Sequence, residues 1–60
     1  MTPTQRRAVE NLLENFRQHR EVEPMMWDAV RRAYHGCDLQ LAYMKREIFR
    51  QMETLKGQSQ

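Results

Sequence analysis

The side chains in this sequence that could do chemistry are His19, His35, Cys37 and Asp38. Imidazole, thiolate and carboxylate groups are the ligands of zinc and the usual nucleophiles and bases of enzymes. Along a helix, however, His35, Cys37 and Asp38 are too crowded to converge on one ion, and there is no Cys-x-x-Cys or His-x-x-x-His pair. His35 also lacks a paired nucleophile at a useful spacing. The sequence therefore predicts no metal, no cofactor and no enzymatic activity.

The composition points away from several other classes of protein. Ten basic and eight acidic residues among 60 give a net charge of only +2, far from the dense basic stripe of a strong nucleic-acid binder. The lone cysteine, Cys37, favours a reduced, cytoplasmic setting. No apolar run reaches the roughly 18 residues of a membrane span. A domain this small is marginal by itself, so a second subunit is the expected source of stability.

The start of the chain has the residues of a helix N-terminus. Thr2 can cap a helix, Pro3 suits its first position and Gln5 completes a capping box. Apolar residues then recur at helical spacing as far as Phe16. This pattern predicts a short amphipathic helix over about residues 3–19.

A second apolar stripe follows Pro24, which predicts a turn near residues 20–23 and a new helix that begins at the proline. The stripe has 4-3-4-3 spacing and keeps its phase across Gly36, which favours one long helix over about residues 24–56. The inner stripe, as we call it, consists of Val30, Tyr34, Cys37, Leu41, Met44, Ile48, Met52 and Leu55.

The sequence around Gly36 leaves a second fold open. Glycine commonly ends a helix and Asp38 is a common cap, so a break at Gly36–Asp38 would give a three-helix bundle. Asp38 has no Glu or Gln three residues later, which leaves its capping box incomplete and favours the unbroken helix. Residues 1–56 form a single predicted domain, and Gly57 predicts a helix stop followed by a disordered tail over residues 57–60.

The unequal lengths of the two predicted helices indicate a homodimer. The second stripe spans about 43 Å from Met26 to Leu55, whereas the first helix offers an apolar face of only about 15 Å. A simple hairpin would leave half of the inner stripe in water, although burying each Leu or Ile is worth about 1.5–3 kcal/mol. We therefore expect an all-α hairpin that pairs with a second copy through the inner stripe, as an antiparallel four-helix dimer.

The face of the long helix opposite the inner stripe predicts a partner-binding surface. Leu39 and Tyr43 lie there one turn apart, although a solvated face should be polar, and Tyr and Arg are enriched in interface hot spots. Single exposed apolar residues are also normal, and in a three-helix fold both side chains could be core. The predicted partner-binding residues are Arg32, Leu39, Tyr43, Arg46 and Arg50.

Together these surfaces predict a small non-enzymatic interaction protein that binds a larger protein as a regulator or inhibitor. Its size is typical of regulators encoded by phages and mobile elements. The alternative is a small nucleic-acid-binding regulator with a basic helical face. Its helix-turn-helix pattern is poor, because Arg32 and His35 stand where the motif needs a small and an apolar residue.

Overall fold

The computed structural model describes residues 1–58, and this part of the chain is all α-helical, as predicted. Three helices follow one another along the chain. Helix α1 spans Pro3–His19, α2 spans Pro24–Ala33 and α3 spans Asp38–Gln58. Of the three, α1 is the element that packs against both others.

The contacts at the ends of α1 define how the helices run. Near its start, Gln5 hydrogen-bonds to Ala33 at the end of α2. Just beyond its end, Arg20 hydrogen-bonds to Leu55 near the end of α3. Helix α2 is therefore antiparallel to α1, and α3 runs in the same direction as α1. This is an up-down-up bundle.

Helix α1 begins and ends as predicted, for local reasons. The Thr2 hydroxyl accepts a hydrogen bond from the backbone N–H of Gln5 at 3.1 Å, and Gln5 Oε1 accepts one from the N–H of Thr2 at 3.0 Å. This reciprocal pair is a capping box. At the other end Arg20 adopts a left-handed φ of 62°, and its N–H donates to the Phe16 carbonyl at 2.7 Å. A left-handed residue of this kind is a common helix terminator.

Helix α2 also begins where the sequence predicted. Pro24 occupies its first turn, and the preceding Glu23 is extended, with φ −68° and ψ 144°. A proline imposes this conformation on the residue before it. The turn between α1 and α2 therefore ends at Glu23.

The segment between α2 and α3 is a β-turn that stops the helix. The N–H of Cys37 donates to the carbonyl of Tyr34 at 2.9 Å, and Gly36, the third residue of the turn, has φ +82°. Only glycine adopts this conformation without strain. The prediction of one continuous helix over residues 24–56 is therefore wrong, and the break lies where the three-helix alternative placed it.

The first hydrogen bond of α3 corrects one detail of that alternative. It joins the N–H of Leu41 to the carbonyl of Cys37 at 2.9 Å, so Cys37 occupies the cap position. Asp38 lies instead in the first turn, where a carboxylate is favoured by the helix dipole. Its missing capping-box partner was therefore no evidence against a break.

The inner stripe does face the interior, but within a single chain. Val30 and Ile48 have no exposed surface, and Tyr34 is 4% exposed. The other stripe residues are partly buried: Cys37, Leu41, Met44, Met52 and Leu55. The buried apolar residues of the core cluster are Ala8, Val9, Leu12, Val30, Tyr34 and Ile48.

The length argument for a dimer fails with the long helix on which it rested. Because the chain reverses at Gly36, α1 packs against both α2 and α3, and the three helices form one core that covers the inner stripe as far as Met52. Pairing through Val30 and Ile48 would require the helices of each chain to separate. The antiparallel four-helix dimer stays a prediction that the structure of one chain does not test.

Helix α3 continues further than the sequence indicated. It includes Gly57 and ends at Gln58, although residues 57–60 were expected to form a tail. Residues 59 and 60 lie outside the part of the chain that the structure describes. Lys56 in the last turn has the charge that the C-terminal end of a helix favours.

Candidate partner-binding site on helix α3

The candidate site is a row of four side chains on the solvent side of α3. Leu39, Tyr43, Arg46 and Arg50 recur at 4-3-4 spacing, which places them on one face of the helix. That face lies opposite Ile48, which is buried. We call this row the outer seam. All four residues are exposed, with 88% of the surface of Leu39 and 68% of that of Tyr43 open to solvent.

A groove runs beside the apolar half of the outer seam. It lies between α3 and the start of α1 and has a volume of about 330 Å³. Its lining residues are Met1, Gln5, Tyr34, Leu39, Gln40, Tyr43 and Met44. Met1 is 67% exposed, so the groove extends the apolar surface of Leu39 and Tyr43 across to α1.

The inner side of this groove is held by buried groups. Gln5 is only 8% exposed, and its Nε2 donates to the carbonyl oxygen of Ala33 at 3.2 Å. Tyr34 is buried beside it, and burial, followed by the nearby Cys37 thiol, raises the pKa of its phenol above the ordinary value. The phenol is therefore neutral at physiological pH and adds no charge to the groove.

The cationic half of the seam has two arginines, of which one is paired with a carboxylate and the other is not. Arg50 pairs with Glu47 at 2.5 Å. Their hydrogen bond is the main reason that the pKa of Glu47 is lowered and that of Arg50 is raised. Arg46 makes no ion pair with any of residues 1–58. Arg46 is therefore the seam cation whose charge is free for a partner.

The structure brings together four of the five predicted partner-binding residues. Arg32 is exposed but lies on α2, before the turn at Gly36. Arg32 was placed on the same face as Leu39 and Tyr43 on the assumption of one straight helix. The turn at Gly36 breaks that helix, so the assumption no longer holds. The possibility that Leu39 and Tyr43 are core in a three-helix fold is also wrong, because both are exposed.

A second surface, between α2 and α3, was not predicted. The rings of Trp27 and Phe49 lie 5.3 Å apart between centroids, at an angle of 32°. They border a cleft of about 220 Å³ whose other lining residues are Val30, Arg31, Leu41 and Lys45. On a straight helix Trp27 and Phe49 would be about 33 Å apart. Only the chain reversal at Gly36 joins them.

The imidazole, thiol and carboxylate groups considered first in the sequence are not gathered into a metal-binding cluster within residues 1–58. Residues 1–58 contain no group of three or more His, Cys, Asp or Glu side chains that could hold a metal ion. Cys37 is a partly buried free thiol. In the same part of the chain, no helix is long and apolar enough to cross a membrane.

No protein-family model, curated protein or solved structure matches this chain. Its function must therefore be inferred from its own surfaces. The outer seam and its groove offer apolar contact at one end and guanidinium hydrogen bonding at the other, which suits binding of another macromolecule.

Proposed function

We propose that this chain is a small non-enzymatic interaction protein that binds a larger protein as a regulator or inhibitor, through the outer seam of α3. The observation that carries the proposal is the 88% exposure of Leu39 and the 68% exposure of Tyr43 on one helix face. Burial of a Leu side chain is worth about 1.5–3 kcal/mol, and a partner that covers both residues recovers this energy.

The neighbours of these two residues support a protein partner. Tyr and Arg dominate interface hot spots, and both types stand in the outer seam. Met1 and Met44 line the adjoining groove, and methionine adapts its shape to irregular partners. Polar Gln40 at the groove can orient a bound chain by hydrogen bonding.

The length of α3 also suits contact with an extended segment of a partner. Helix α3 has 21 residues, so it is about 31 Å long. A partner segment that lies along α3 can therefore contact the whole outer seam, from Leu39 to Arg50. The small chain would then regulate the larger protein by covering part of its surface.

The test is capture of the partner from the native cell by the tagged chain. The double variant Leu39→Ala, Tyr43→Ala should lose a protein that the wild type retains, with unchanged helicity by circular dichroism. The matched control is Arg6→Ala, Arg7→Ala, which alters two exposed residues of α1. If the double variant still retains the protein, the outer seam is not the binding surface.

A nucleic-acid-binding regulator is the competing function, and the ion pairs of the chain weaken its case. The structure shows i,i+3 pairs on the helices between Arg17 and Glu14, Arg31 and Asp28, Arg50 and Glu47, and Lys56 and Glu53. These carboxylates offset basic charge that phosphates would need. A gel shift with duplex DNA or an RNA hairpin that weakens steeply with salt would favour this alternative.

A further inference from the structure

The spacing and charge of the outer seam together specify what binds there. We infer that the seam takes an acidic amphipathic α-helix of the partner, with two apolar residues against Leu39 and Tyr43 and carboxylates against Arg46 and Arg50. This inference rests on the proposed function and names the partner's contacting element. It follows from three features: the register of the seam, its groove and the charge of Arg46, which no ion pair offsets within residues 1–58.

The register indicates a helix as the occupant. A 4-3-4 spacing is that of the a and d positions of a coiled coil, which a second helix packed alongside contacts in turn. Helix α3 is continuous from Asp38 to Gln58, so the row is straight. From Leu39 to Arg50 it is about 16 Å long, which corresponds to three turns of a partner helix.

The groove specifies the apolar end of that helix. It opens beside Leu39 and Tyr43, and Met1 and Met44 form its other apolar walls. Its volume of about 330 Å³ can accept a large side chain such as Leu or Phe from the partner. Helices that dock in grooves use such anchors one turn apart.

The charges specify the other end. A carboxylate that faces Arg46 forms a new charge-assisted hydrogen bond, because Arg46 has no ion pair within residues 1–58. One that faces Arg50 competes with Glu47, which already lies 2.5 Å from the guanidinium. The acidic residue opposite Arg46 should therefore contribute more than the one opposite Arg50.

The same charges argue against a second copy of this chain as the occupant. A parallel copy would set Arg46 against Arg46 and Arg50 against Arg50, which is repulsive. An antiparallel copy would set Leu39 against Arg50, so that this guanidinium loses water against an apolar side chain without gaining a carboxylate. An acidic amphipathic helix satisfies both halves of the seam, whereas neither pairing of two seams does.

The experiment is a display selection with the full chain as bait. The probe is a library of single-helix peptides in which four positions at 4-3-4 spacing are randomised on a neutral, alanine-rich scaffold. We expect enrichment of apolar residues at two successive positions and of Asp or Glu at the two others. The selected peptide should bind Arg46→Glu about tenfold more weakly, because a charge pair becomes repulsive.

A charge swap distinguishes direct contact between the peptide and Arg46 from an effect of net charge alone. Changing the selected acidic residue to Lys should restore binding to Arg46→Glu but not to the wild type. Arg50→Glu should have a smaller effect, and Arg7→Glu on α1 is the control with the same change in net charge. Enrichment of neutral or basic residues, unchanged binding to Arg46→Glu, or no enriched helix at all would overturn the inference. The proposed function fails separately, when the variant with Leu39→Ala and Tyr43→Ala still retains the cellular partner.

Discussion

The side-chain amide of Gln5 donates to the backbone carbonyl of Ala33 across 3.2 Å and so joins the first turn of α1 to the last turn of α2. The carbonyls at the end of a helix have no partner within it, and Gln5 satisfies one of them. The Oε1 of the same side chain accepts from Thr2. One buried residue therefore caps its own helix and attaches it to the next, beside the groove of the candidate site.

Replacing Gln5 should test this double role. Gln5→Ala removes both hydrogen bonds, each worth about 0.5–1.5 kcal/mol, so we expect the free energy of unfolding to fall by about 1–3 kcal/mol. Gln5→Glu is the matched control, because a carboxylate can still complete the capping box but cannot donate to Ala33. Urea denaturation measures both. Equal stability of Gln5→Ala and the wild type would show that the two contacts contribute nothing.

Whether Gly36→Ala raises or lowers the free energy of unfolding tests the break between α2 and α3. Gly36 has φ +82°, where a side chain is strained even though a Cβ would meet nothing within 4 Å. Gly36→Ala should therefore lower the free energy of unfolding by about 1–2 kcal/mol. In an unbroken helix the same change would instead raise it by about 1 kcal/mol. Thermal and urea unfolding distinguish the two signs directly.

At Arg20, by contrast, a substitution should stabilise the fold. It holds a left-handed φ of 62°, and its guanidinium makes only a long, exposed hydrogen bond of 3.5 Å to Leu55. Arg20→Gly removes the strain and should raise the free energy of unfolding by about 0.5–1 kcal/mol. Arg20→Ala keeps the strain but loses the contact, and should be less stable than Arg20→Gly. If the two variants unfold at the same urea concentration, the strain at this position is negligible.

Stability should also decline in alkaline solution because of Tyr34. Burial raises the pKa of its phenol in the folded chain, so the unfolded chain loses this proton at a lower pH. The stabilisation is complete below the ordinary tyrosine pKa of about 10 and is lost as the pH rises above it. Tyr34→Phe should reduce this decline in a urea titration repeated at increasing pH. Tyr43→Phe, at an exposed ring, is the control and should leave the decline unchanged.

The molar mass in solution tests the predicted homodimer. Because the inner stripe is covered within one chain, light scattering over a dilution series should give the monomer mass of 7.3 kDa. A mass of twice that value that persists on dilution would confirm the predicted homodimer. The variant with Leu39→Ala and Tyr43→Ala would then show whether the outer seam or another surface joins the two copies.

The helix starts could be predicted because each depends on residues close in the chain. Thr2 and Gln5 cap α1 through contacts across three residues, and Pro24 restricts Glu23 directly. The burial of Val30 and Ile48 could be predicted for a related reason. Apolar side chains at helical spacing must leave water whatever covers them.

The break at Gly36 could not be decided from the same pattern. The spacing of apolar residues predicts which side chains are buried. The same side chains are buried whether the helix is straight or the chain reverses at Gly36. Tyr34 and Cys37, the first and last residues of the turn, keep the 4-3 spacing of the apolar residues in α3. In the sequence the inner stripe therefore looks continuous across the turn. The left-handed conformation at Gly36 was only one permitted outcome for a glycine.

The sequence by itself determined the helical class, two helix starts, the inner stripe and the row of Leu39, Tyr43, Arg46 and Arg50, since all of these follow from local chemistry and period. Tertiary structure alone decided what covers the stripe, that Arg32 leaves the row, and that Trp27 meets Phe49. The physical reason is that packing joins residues far apart in the chain. The reversal at Gly36 lets one chain bury its own stripe and leaves the outer seam in water.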